Sequence, residues 1–429
     1  MERNIPSVNG AKRESNEYHG TWPWRVVSLT DKIVLAYSGG LDTSVSIKWL
    51  QDKFMADVIT VTVDVGQRED FDEIGKRAKE IGAIKHYLID AKEEFVMNYI
   101  SPSIKANALY EGKYPLVSAL SRPLIASKLV EVAKKEEALA VAHGCTGKGN
   151  DQVRFEVTIK SLSPKMKVIA PVREWGLSRD QEMDYAKEQG IKIEPKSIFS
   201  IDQNLWGRSI ESGPLEDPEI EPPLEAFEWV KPLEKAPEKA GYVSIGFEDG
   251  VPISVDNEKK DAIEIISYIN KVAGKHGVGI IDHMEDRLVG IKSREVYECP
   301  AALCLIEAHR DLEKLVLNRH ELFFKDIVDV NWTWLAYSGL WLDPLRKDLE
   351  AFIDSTQERV EGSVKIKLHK GNYRVVGRSS PYSLYDRDLA TYKISSEFDQ
   401  ASAQGFIELW GLPTRVAYSI LSKLKKSWE

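Results

Sequence analysis

The chain has 429 residues, of which 43% are apolar and 29% charged, and its formal net charge at pH 7 is −9. A chain of this length is too long for one compact core, so we expect two domains with appendages. The negative charge argues against a dominant nucleic-acid-binding surface, which is normally basic, and no apolar run approaches the roughly 18 residues of a membrane-spanning helix.

The first 30 residues are polar and predict a loosely ordered N-terminal extension. They lack the apolar core of a signal peptide, and their acidic residues weigh against a transit peptide. The only cysteines are Cys145, Cys299 and Cys304, without a Cys-x-x-Cys pair. This sparse set argues against a zinc or thioredoxin-like site and favours a reducing, cytoplasmic location.

The first strongly patterned stretch runs from Ile33 to Ser44 and reads Ile-Val-Leu-Ala-Tyr-Ser-Gly-Gly-Leu-Asp-Thr-Ser. Its apolar start predicts a buried strand, and Leu41, Val45 and Trp49 recur at helical spacing after the two glycines. The glycines let a ligand approach the main chain, and hydroxyls with free N–H groups at a helix start favour a bound phosphate.

This segment lacks the Gly-Lys-Ser/Thr of the mononucleotide P-loop and does not fit Gly-x-Gly-x-x-Gly. Its order, Ser-Gly-Gly-x-Asp followed closely by Ser, resembles the PP-loop of ATP pyrophosphatases. These enzymes split ATP between the α and β phosphates, so the resemblance implies that this loop binds ATP.

Residues 31–196 alternate between strand-like and helix-like patterns. The predicted strands are Ile33–Ala36, Val58–Val65, Tyr87–Ile89, Leu139–His143 and Val168–Ala170. The predicted helices include Asp70–Ile81, Lys92–Leu109, Ser121–Glu137 and Arg179–Gln189. Such alternation predicts an α/β domain with a doubly wound, mostly parallel sheet, whose ligands bind beyond the carboxyl ends of the strands.

Residues 197–400 are predicted to form a second, α+β domain. It contains a Pro-rich, acidic segment over 212–240 that is expected to cross the surface in an extended form. A strand, three helices and a hairpin are predicted after it, at Gly241–Phe247, Asp261–Ala273, Ala301–Arg319, Phe323–Arg359, and Val364–Leu368 with Tyr373–Val376.

Residues 401–429 are predicted to form a C-terminal oligomerisation helix. Val416, Ile420, Leu421 and Leu424 form an apolar stripe among basic residues. A neighbouring subunit is one natural cover for this stripe, and the chain's own domain is the other.

The second informative segment, His143 to Glu156, holds three glycines in six residues with Lys148 among them. Asn150 and Arg154 lie four residues apart and so share one face if a helix begins here. The mixture of donors, acceptors and both charge signs favours a site for zwitterionic ligands.

Together the two signatures closely resemble the argininosuccinate synthase family, from about Lys32 to the end of the hairpin. Further matching strings are Val65–Gln67, Ala108–Tyr114, Lys167–Pro171, Ser200–Ser209, Gly274–Gly279, Lys292–Arg294, Tyr297–Glu298 and Ser383–Tyr385.

The resemblance implies an ATP-dependent ligase that condenses L-citrulline with L-aspartate through a citrullyl-adenylate. The products would be argininosuccinate, AMP and pyrophosphate, in arginine biosynthesis. A ureido carbonyl is a weak electrophile, and transfer of AMP to its oxygen creates a leaving group that the aspartate amine can displace. Charge stabilisation and positioning would suffice, without a protein nucleophile. Mg²⁺ is expected on the phosphates, and the family suggests a homotetramer with no nucleic-acid or membrane partner.

The resemblance also assigns residues by position. The implied ATP-binding residues are Ala36, Tyr37, Ser38, Gly39, Gly40, Leu41, Asp42, Thr43, Ser44, Val63 and Gly144. The implied citrulline contacts are Tyr114, Asn150, Arg154, Ser200, Ser209, Glu285 and Tyr297. The implied aspartate contacts are Thr146, Asn150 and Asp151, and the catalytic group comprises Asp42, Asn150 and Asp151. Asp42 would orient Mg²⁺ or cap the first helix, and both roles stay open.

One position departs from the family pattern, and two other functions compete with the ligase. Many members carry Gly-Thr-Ser after the Tyr114 region, and that serine is thought to contact citrulline; Val117–Ser118–Ala119 stands here. The contact is therefore absent or moved to Ser118. The competing functions are another PP-loop adenylating enzyme, such as one acting on a tRNA base, and a non-catalytic adenine-nucleotide sensor.

Overall fold

The computed structural model describes residues 31–177, 179–192, 198–392 and 397–426. The predicted N-terminal extension, residues 1–30, lies outside them. Among the described residues, no helix is both long and apolar enough to cross a bilayer.

The first domain contains five parallel strands, in the order β3-β2-β1-β4-β5. The strands are β1 (Lys32–Ala36), β2 (Asp57–Asp64), β3 (Lys85–Asp90), β4 (Ala140–Ala142) and β5 (Lys167–Ile169). The helices between and after them are α1 (Leu41–Phe54), α2 (Phe71–Ile81), α3 (Lys92–Phe95), α4 (Ser101–Lys105), α5 (Val117–Lys135), α6 (Asp151–Leu162), α7 (Pro171–Trp175) and α8 (Arg179–Glu188).

Alternate side chains of β1 enter two different cores, because successive residues of a strand point to opposite faces. Ile33 and Leu35 pack with α1, α2 and α8, whereas Val34 packs with α5 on the other face. The sheet is therefore covered on both sides, which confirms the predicted doubly wound fold. Strand β1 pairs with β2 on one edge and β4 on the other, so the order of the strands reverses there and a crevice opens at their carboxyl ends.

Two antiparallel sheets follow, in the orders β11-β12-β7-β6 and β10-β9-β8-β13-β14. Their strands are β6 (Ser200–Gln203), β7 (Arg208–Glu211), β8 (Gly241–Glu248), β9 (Val251–Val255), β10 (Glu258–Lys259), β11 (Ile280–Asp286), β12 (Lys292–Glu298), β13 (Gly362–His369) and β14 (Asn372–Ser379). The helices are α9 (Ala262–Lys275), α10 (Pro300–Val316), α11 (Arg319–Tyr337), α12 (Pro344–Gln357), α13 (Arg387–Ala390), α14 (Ser402–Trp410) and α15 (Leu412–Lys426).

Two predicted helices are divided in the structure. The pattern over Lys92–Leu109 becomes α3, a π-helical turn at Val96–Ile100, and α4. Pro102 cannot donate to a regular helical ladder, and the helix widens just before it. The pattern over Phe323–Arg359 is interrupted after Tyr337 by a turn with Gly339 at φ +78°, and Asp343 then caps α12.

The four-stranded sheet was not predicted, although it carries several of the predicted site residues. Strands β6 and β7 have only four residues each, and all four strands consist largely of polar and charged residues, so their apolar pattern is weak. Residues 212–240 contain three short 3₁₀ turns. The C-terminal region contains α14 as well as the predicted final helix.

Candidate active site

The turn between β1 and α1 exposes its main chain to the crevice. Gly40 is the N-cap of α1, with extended backbone angles and no side-chain hydrogen bond to the helix start. Gly39 has a φ of +76°, and a Cβ added there would lie 2.9 Å from Ile74. Only glycine suits this position, and the free N–H groups beyond it form the positive end of the helix. The turn can therefore hold a phosphate.

The side chains of this turn hold it in place. The buried Tyr37 hydroxyl lies 3.0 Å from Ser44 Oγ, and Thr62 Oγ1 donates to the Tyr37 carbonyl at 2.6 Å. Ser38 Oγ and Thr43 Oγ1, 3.2 Å apart, are exposed above the loop. Tyr37 and Ser44 thus fix the backbone, whereas the two upper hydroxyls are available to a ligand.

The second predicted loop lies directly against the first. A Cβ added at Gly144 would come within 3.0 Å of Thr43 Cγ2, so the main chain after β4 passes close to the start of α1. Ala36 ends β1 and Val63 lies near the end of the neighbouring β2. The structure therefore brings the predicted ATP-binding residues to one end of the parallel sheet.

Asp42 lies in the first turn of α1 and does not cap it, since the cap is Gly40. Its Oδ1 accepts from Arg179 Nη1 at 2.9 Å. Burial, and then the nearby Asp42 carboxylate, raise the pKa of Glu182 to about 8. The capping role left open by the sequence is therefore wrong, and Asp42 is an exposed carboxylate beside the phosphate turn.

Asn150 links the glycine-rich segment to the second domain. Its side-chain oxygen accepts from the Leu288 backbone N–H at 2.8 Å, and its Nδ2 donates to the Tyr337 hydroxyl at 2.8 Å. Glu285 Oε1 lies 3.5 Å from the same Nδ2. The amide is 7% exposed, so both of its ends are fixed within the site.

Asp151 is held by two arginines. Arg122 Nε donates to one carboxylate oxygen at 2.6 Å, and Arg154 Nη1 donates to the other at 2.8 Å. Burial by itself would raise the pKa of Asp151, but the two guanidinium groups lower it to about 2. Arg122 also pairs with Asp202 of the second domain at 2.5 Å. The carboxylate is thus fully ionised at neutral pH.

Arg154 is 2% exposed and has one nitrogen without a partner. Its Nε donates to the Tyr337 carbonyl at 3.0 Å, and its Nη1 donates to Ser118 Oγ at 3.2 Å as well as to Asp151. Nη2 makes no hydrogen bond among the described residues. A buried guanidinium N–H without an acceptor is costly, so this group is suited to a polar ligand.

A buried carboxylate and three tyrosines form the opposite side of the site. Glu285 is 3% exposed and accepts from Tyr297 at 2.7 Å and from Tyr337 at 2.6 Å. The rings of Tyr114 and Tyr297 stack with centroids 4.5 Å apart. Burial raises the pKa of each of these tyrosines, so they remain neutral donors.

The remaining predicted residues lie at the edge of this cluster. Ser209 in β7 is opposite Tyr297 in β12, whereas Ser200 is opposite Glu211 and is exposed. Thr146 is exposed in the glycine-rich loop. The structure therefore joins Tyr114, Asn150, Asp151, Arg154, Glu285 and Tyr297 through hydrogen bonds and ring contacts.

Sequence reasoning missed Arg122 and Tyr337 and left Ser118 uncommitted. Ser118 Oγ lies 3.1 Å from the Tyr114 hydroxyl as well as beside Arg154. Ser118 and Arg122 lie four residues apart on α5 and so share one face of that helix, so helical spacing from Ser118 could have indicated Arg122. Tyr337 lies in no motif quoted above, and the sequence carries no comparable signal for it.

Comparisons with known proteins agree with this arrangement of two domains. The Arginosuccinate synthase N-terminal HUP domain matches residues 32–192, and the Arginosuccinate synthase C-terminal domain matches residues 199–417. The argininosuccinate synthase of Pyrococcus furiosus is 61% identical over 390 residues, which are 91% of this chain and 95% of that relative. That of Geobacillus thermodenitrificans is 57% identical over 398 residues, 92% of this chain and 98% of the relative.

A solved structure, the U34-tRNA thiolase NcsA from Methanococcus maripaludis, aligns at 17% identity with a TM-score of 0.25. The alignment covers 39% of this chain and 60% of that chain.

Proposed function

The chain belongs to the argininosuccinate synthase family, and on that premise we propose that the crevice between its two domains is the active site. The enzyme is an ATP-dependent ligase that condenses citrulline with aspartate through a citrullyl-adenylate, in arginine biosynthesis. The observation that carries the assignment of the site is the Nη2 atom of Arg154, which is buried and has no hydrogen-bond partner among the described residues.

The ATP phosphates would lie on the turn from Ser38 to Ser44, with Val63 and Gly144 beside the nucleotide. The uncapped start of α1 supports this placement, since its free N–H groups favour an anion. Asp42 would hold Mg²⁺ together with the phosphates, because Mg²⁺ prefers oxygen ligands and Asp42 offers an exposed carboxylate there. The metal ion, when bound, neutralises charge on the phosphates.

Citrulline would occupy the space between Arg154 and Glu285. The Glu285 carboxylate suits the substrate ammonium, and Arg154 Nη2 suits the substrate carboxylate or ureido oxygen. Tyr114 and Tyr297 would form the apolar wall, and Ser209 lies opposite Tyr297. Ser200 is the last of the residues that the family resemblance assigns to citrulline binding. Ser118 is placed to supply the serine hydroxyl that the family pattern puts one position later.

Aspartate would bind at Thr146, Asn150 and Asp151. The carboxylate of Asp151 is ionised, and each of its oxygens retains a lone pair beyond the one used by an arginine. It can therefore accept from the substrate ammonium. Asn150 would contact both amino acids, since they must meet at the ureido carbon.

The reaction would run in two steps. The ureido oxygen of citrulline attacks the α-phosphorus of ATP, and the P–O bond to pyrophosphate breaks. The aspartate amine then attacks the ureido carbon, the C–O bond to AMP breaks, and the amine loses its proton. The protein positions the reactants and stabilises the departing anions, so no covalent enzyme intermediate is needed.

Product analysis with each substrate omitted in turn tests this function. We expect AMP, pyrophosphate and argininosuccinate in equal amounts only when ATP, citrulline and aspartate are all present. Citrulline alone should support exchange of labelled pyrophosphate into ATP. Cleavage to ADP, or AMP formation that depends on RNA instead of citrulline, would contradict the proposal.

We also propose a homotetramer in the cytoplasm. The C-terminal helices support assembly, because Leu409, Trp410 and Tyr418 are 74%, 70% and 73% exposed in the single chain. The three cysteines are unpaired, and two of them are buried, as in proteins of a reducing compartment.

A further inference from the structure

We propose that Tyr337 is a positioning residue of this active site, whose hydroxyl orients both the Glu285 carboxylate and the Asn150 amide. This inference rests on the proposed function, since it gives Tyr337 a role in binding citrulline and in bringing aspartate to it. Tyr337 is the last residue of α11, far in sequence from the two residues that it would orient.

The hydroxyl of Tyr337 lies between the two groups. Its oxygen is 2.6 Å from Glu285 Oε1 and 2.8 Å from Asn150 Nδ2, with the Asp286 carbonyl at 2.9 Å. A phenol has one proton, and the carboxylate is the stronger acceptor. Tyr337 therefore donates to Glu285 and accepts from Asn150, which sets one direction of hydrogen bonding across the site.

The same hydrogen bonds also determine which end of the Asn150 amide carries the oxygen and which the nitrogen. The Leu288 N–H donates to its oxygen at 2.8 Å, and the Tyr337 hydroxyl accepts from its nitrogen. Rotating the amide by half a turn would place two donors together at Leu288. The amide is therefore oriented from both sides before any ligand binds, which is the condition for a group that must contact two substrates.

Aromatic packing fixes the ring that carries the hydroxyl. Its centroid lies 3.5 Å from that of Tyr110 with the planes 8° apart, and it meets Tyr114 edge-on at 6.2 Å. Arg154 lies 5.0 Å from the ring centre and also donates to the Tyr337 carbonyl. Tyr337 is 0% exposed. It thus contacts residues from both domains with no freedom to reorient.

A buried ionic network holds α11 in place behind the ring. Lys325 is 1% exposed and lies 2.8 Å from Asp329 and 3.0 Å from Glu313 of α10. Asn107 donates to both of these carboxylates, at 2.6 Å to Glu313 and 3.0 Å to Asp329. Since Asn107 precedes Tyr110 by three residues, the network fixes both aromatic partners of the stack relative to each other.

The Tyr337→Phe variant tests the role, because it removes the hydroxyl and keeps the ring. Glu285 Oε1 would lose a charge-assisted hydrogen bond, so we expect the KM for citrulline to rise about 10- to 100-fold. The KM for ATP should change by less than about 2-fold, since the phosphate turn keeps its contacts. The matched control is Tyr99→Phe, which removes the hydroxyl of a buried tyrosine stacked on Trp341.

Two outcomes would overturn the proposal: a citrulline KM in Y337F equal to that of the wild type, or equal rises in the KM of all three substrates. If Y337F folds poorly, Glu285→Asp offers a second test, because the shorter side chain withdraws the carboxylate from the Tyr337 hydroxyl. An unchanged KM for citrulline in E285D would also overturn the proposal. The Y337F/E285Q double variant should show non-additive effects on citrulline KM, whereas additive effects would exclude action through Glu285. Absence of argininosuccinate synthesis in the wild type would instead refute the proposed function itself.

Discussion

Ser118 lies one position before the serine of the family pattern and contacts two residues that are predicted to bind citrulline. The family serine is expected one position later, where Ala119 stands. Ser118 nevertheless places its Oγ 3.1 Å from the Tyr114 hydroxyl and 3.2 Å from Arg154 Nη1. Because it lies in the first turn of α5, directly above Tyr114, its hydroxyl reaches the side of the site that the sequence assigned to citrulline.

We expect Ser118→Ala to raise the KM for citrulline about 3- to 10-fold, the effect of losing one ordinary hydrogen bond. Steady-state kinetics with varied citrulline would measure it. The control is Ser127→Ala on the same helix, whose hydroxyl donates to the Leu124 carbonyl and should leave the citrulline KM unchanged. Equal effects of the two substitutions would contradict a specific contact by Ser118.

The sequence could predict site residues only where they lie in a dense local motif. The turn from Ser38 to Ser44 carries its signal in consecutive residues, and the structure places it at a strand end as expected. Arg122 and Tyr337 lie outside that motif and contact residues far away in sequence, and composition does not reveal such contacts. Asp42 illustrates a further limit, because the choice of cap depends on where the helix begins, a boundary that patterns locate only within a few residues.

At the scale of elements, the parallel sheet was predictable because its strands are short apolar runs separated by helical patterns. The sheet formed by β6, β7, β11 and β12 was not, although Glu285 and Tyr297 lie in it. Besides their ladder hydrogen bonds, its strands are joined by ion pairs such as Arg294 with Asp282, 2.6 Å apart. Such contacts leave no apolar alternation in the sequence.

The turn after α11 is a second element that a continuous helical pattern concealed, and it contacts the site directly. Gly339 has a φ of +78°, and a Cβ there would lie 3.0 Å from Arg154 Cα. Gly176 has a similar φ of +66°, and no atom of the described residues lies within 4 Å of its added Cβ. Comparing alanine substitutions at these two glycines therefore distinguishes the cost of backbone strain from the cost of a steric clash with Arg154.

We expect Gly176→Ala to lower the free energy of unfolding by about 1 kcal/mol, the cost of a left-handed backbone. Gly339→Ala should cost about 1–3 kcal/mol more because of overpacking, and should raise the citrulline KM by displacing Arg154. Urea unfolding and steady-state kinetics would measure the two effects. Equal behaviour of both variants would show that the contact with Arg154 is unimportant.

A partly buried cluster with more acid than base surrounds Arg287 of the β11–β12 turn. Glu211 and Glu295 both accept from Arg287 Nη2, at 2.6 and 2.5 Å. Burial, followed by the charge of Glu295, raises the pKa of Glu211 from 4.5 to about 7. Arg287 also donates to the Lys148 carbonyl at 3.2 Å, so the charge of this cluster acts next to the glycine-rich loop.

The raised pKa of Glu211 determines the direction in which the free energy of unfolding changes with pH. Between pH 4.5 and 7 the folded protein keeps a proton on Glu211 that the unfolded chain has lost. The stabilisation is therefore fully present below the unfolded pKa and is lost as the pH rises through the folded pKa. Gln at this position cannot ionise, so Glu211→Gln should gain unfolding free energy relative to the wild type as the pH rises from 5 to 8. Because the Glu211 side chain is 39% exposed, solvent screening limits this gain to about 1 kcal/mol.

Urea unfolding of wild type and E211Q at the two pH values would measure this difference. Glu225→Gln, at an exposed position, is the control and should show no change with pH relative to the wild type. A difference between E211Q and wild type that stays constant, or falls with rising pH, would contradict the assigned direction.

At the scale of the whole molecule, the two domains share one apolar core and are also joined by polar contacts that belong to the site. Asn150 bonds to Leu288 and Tyr337, and Arg122 bridges Asp151 and Asp202. Part of the interface between the domains is therefore also part of the proposed binding crevice. Any ligand that bridges Arg154 and Glu285 would consequently also tie the two domains together.

The C-terminal helices differ from this interface, because they carry apolar surface that no described part of the chain buries. No residue of α14 is buried, and Phe406, Ile407, Ile420 and Leu421 are each more than half exposed. Removing residues 416–429 should therefore shift the protein to smaller assemblies, because it deletes the apolar stripe of α15 that would contact a neighbouring subunit. Multi-angle light scattering would measure the mass, and Ile420→Asp should act in the same direction without shortening the chain. Retention of the wild-type mass by both variants would show that the stripe is not an assembly surface.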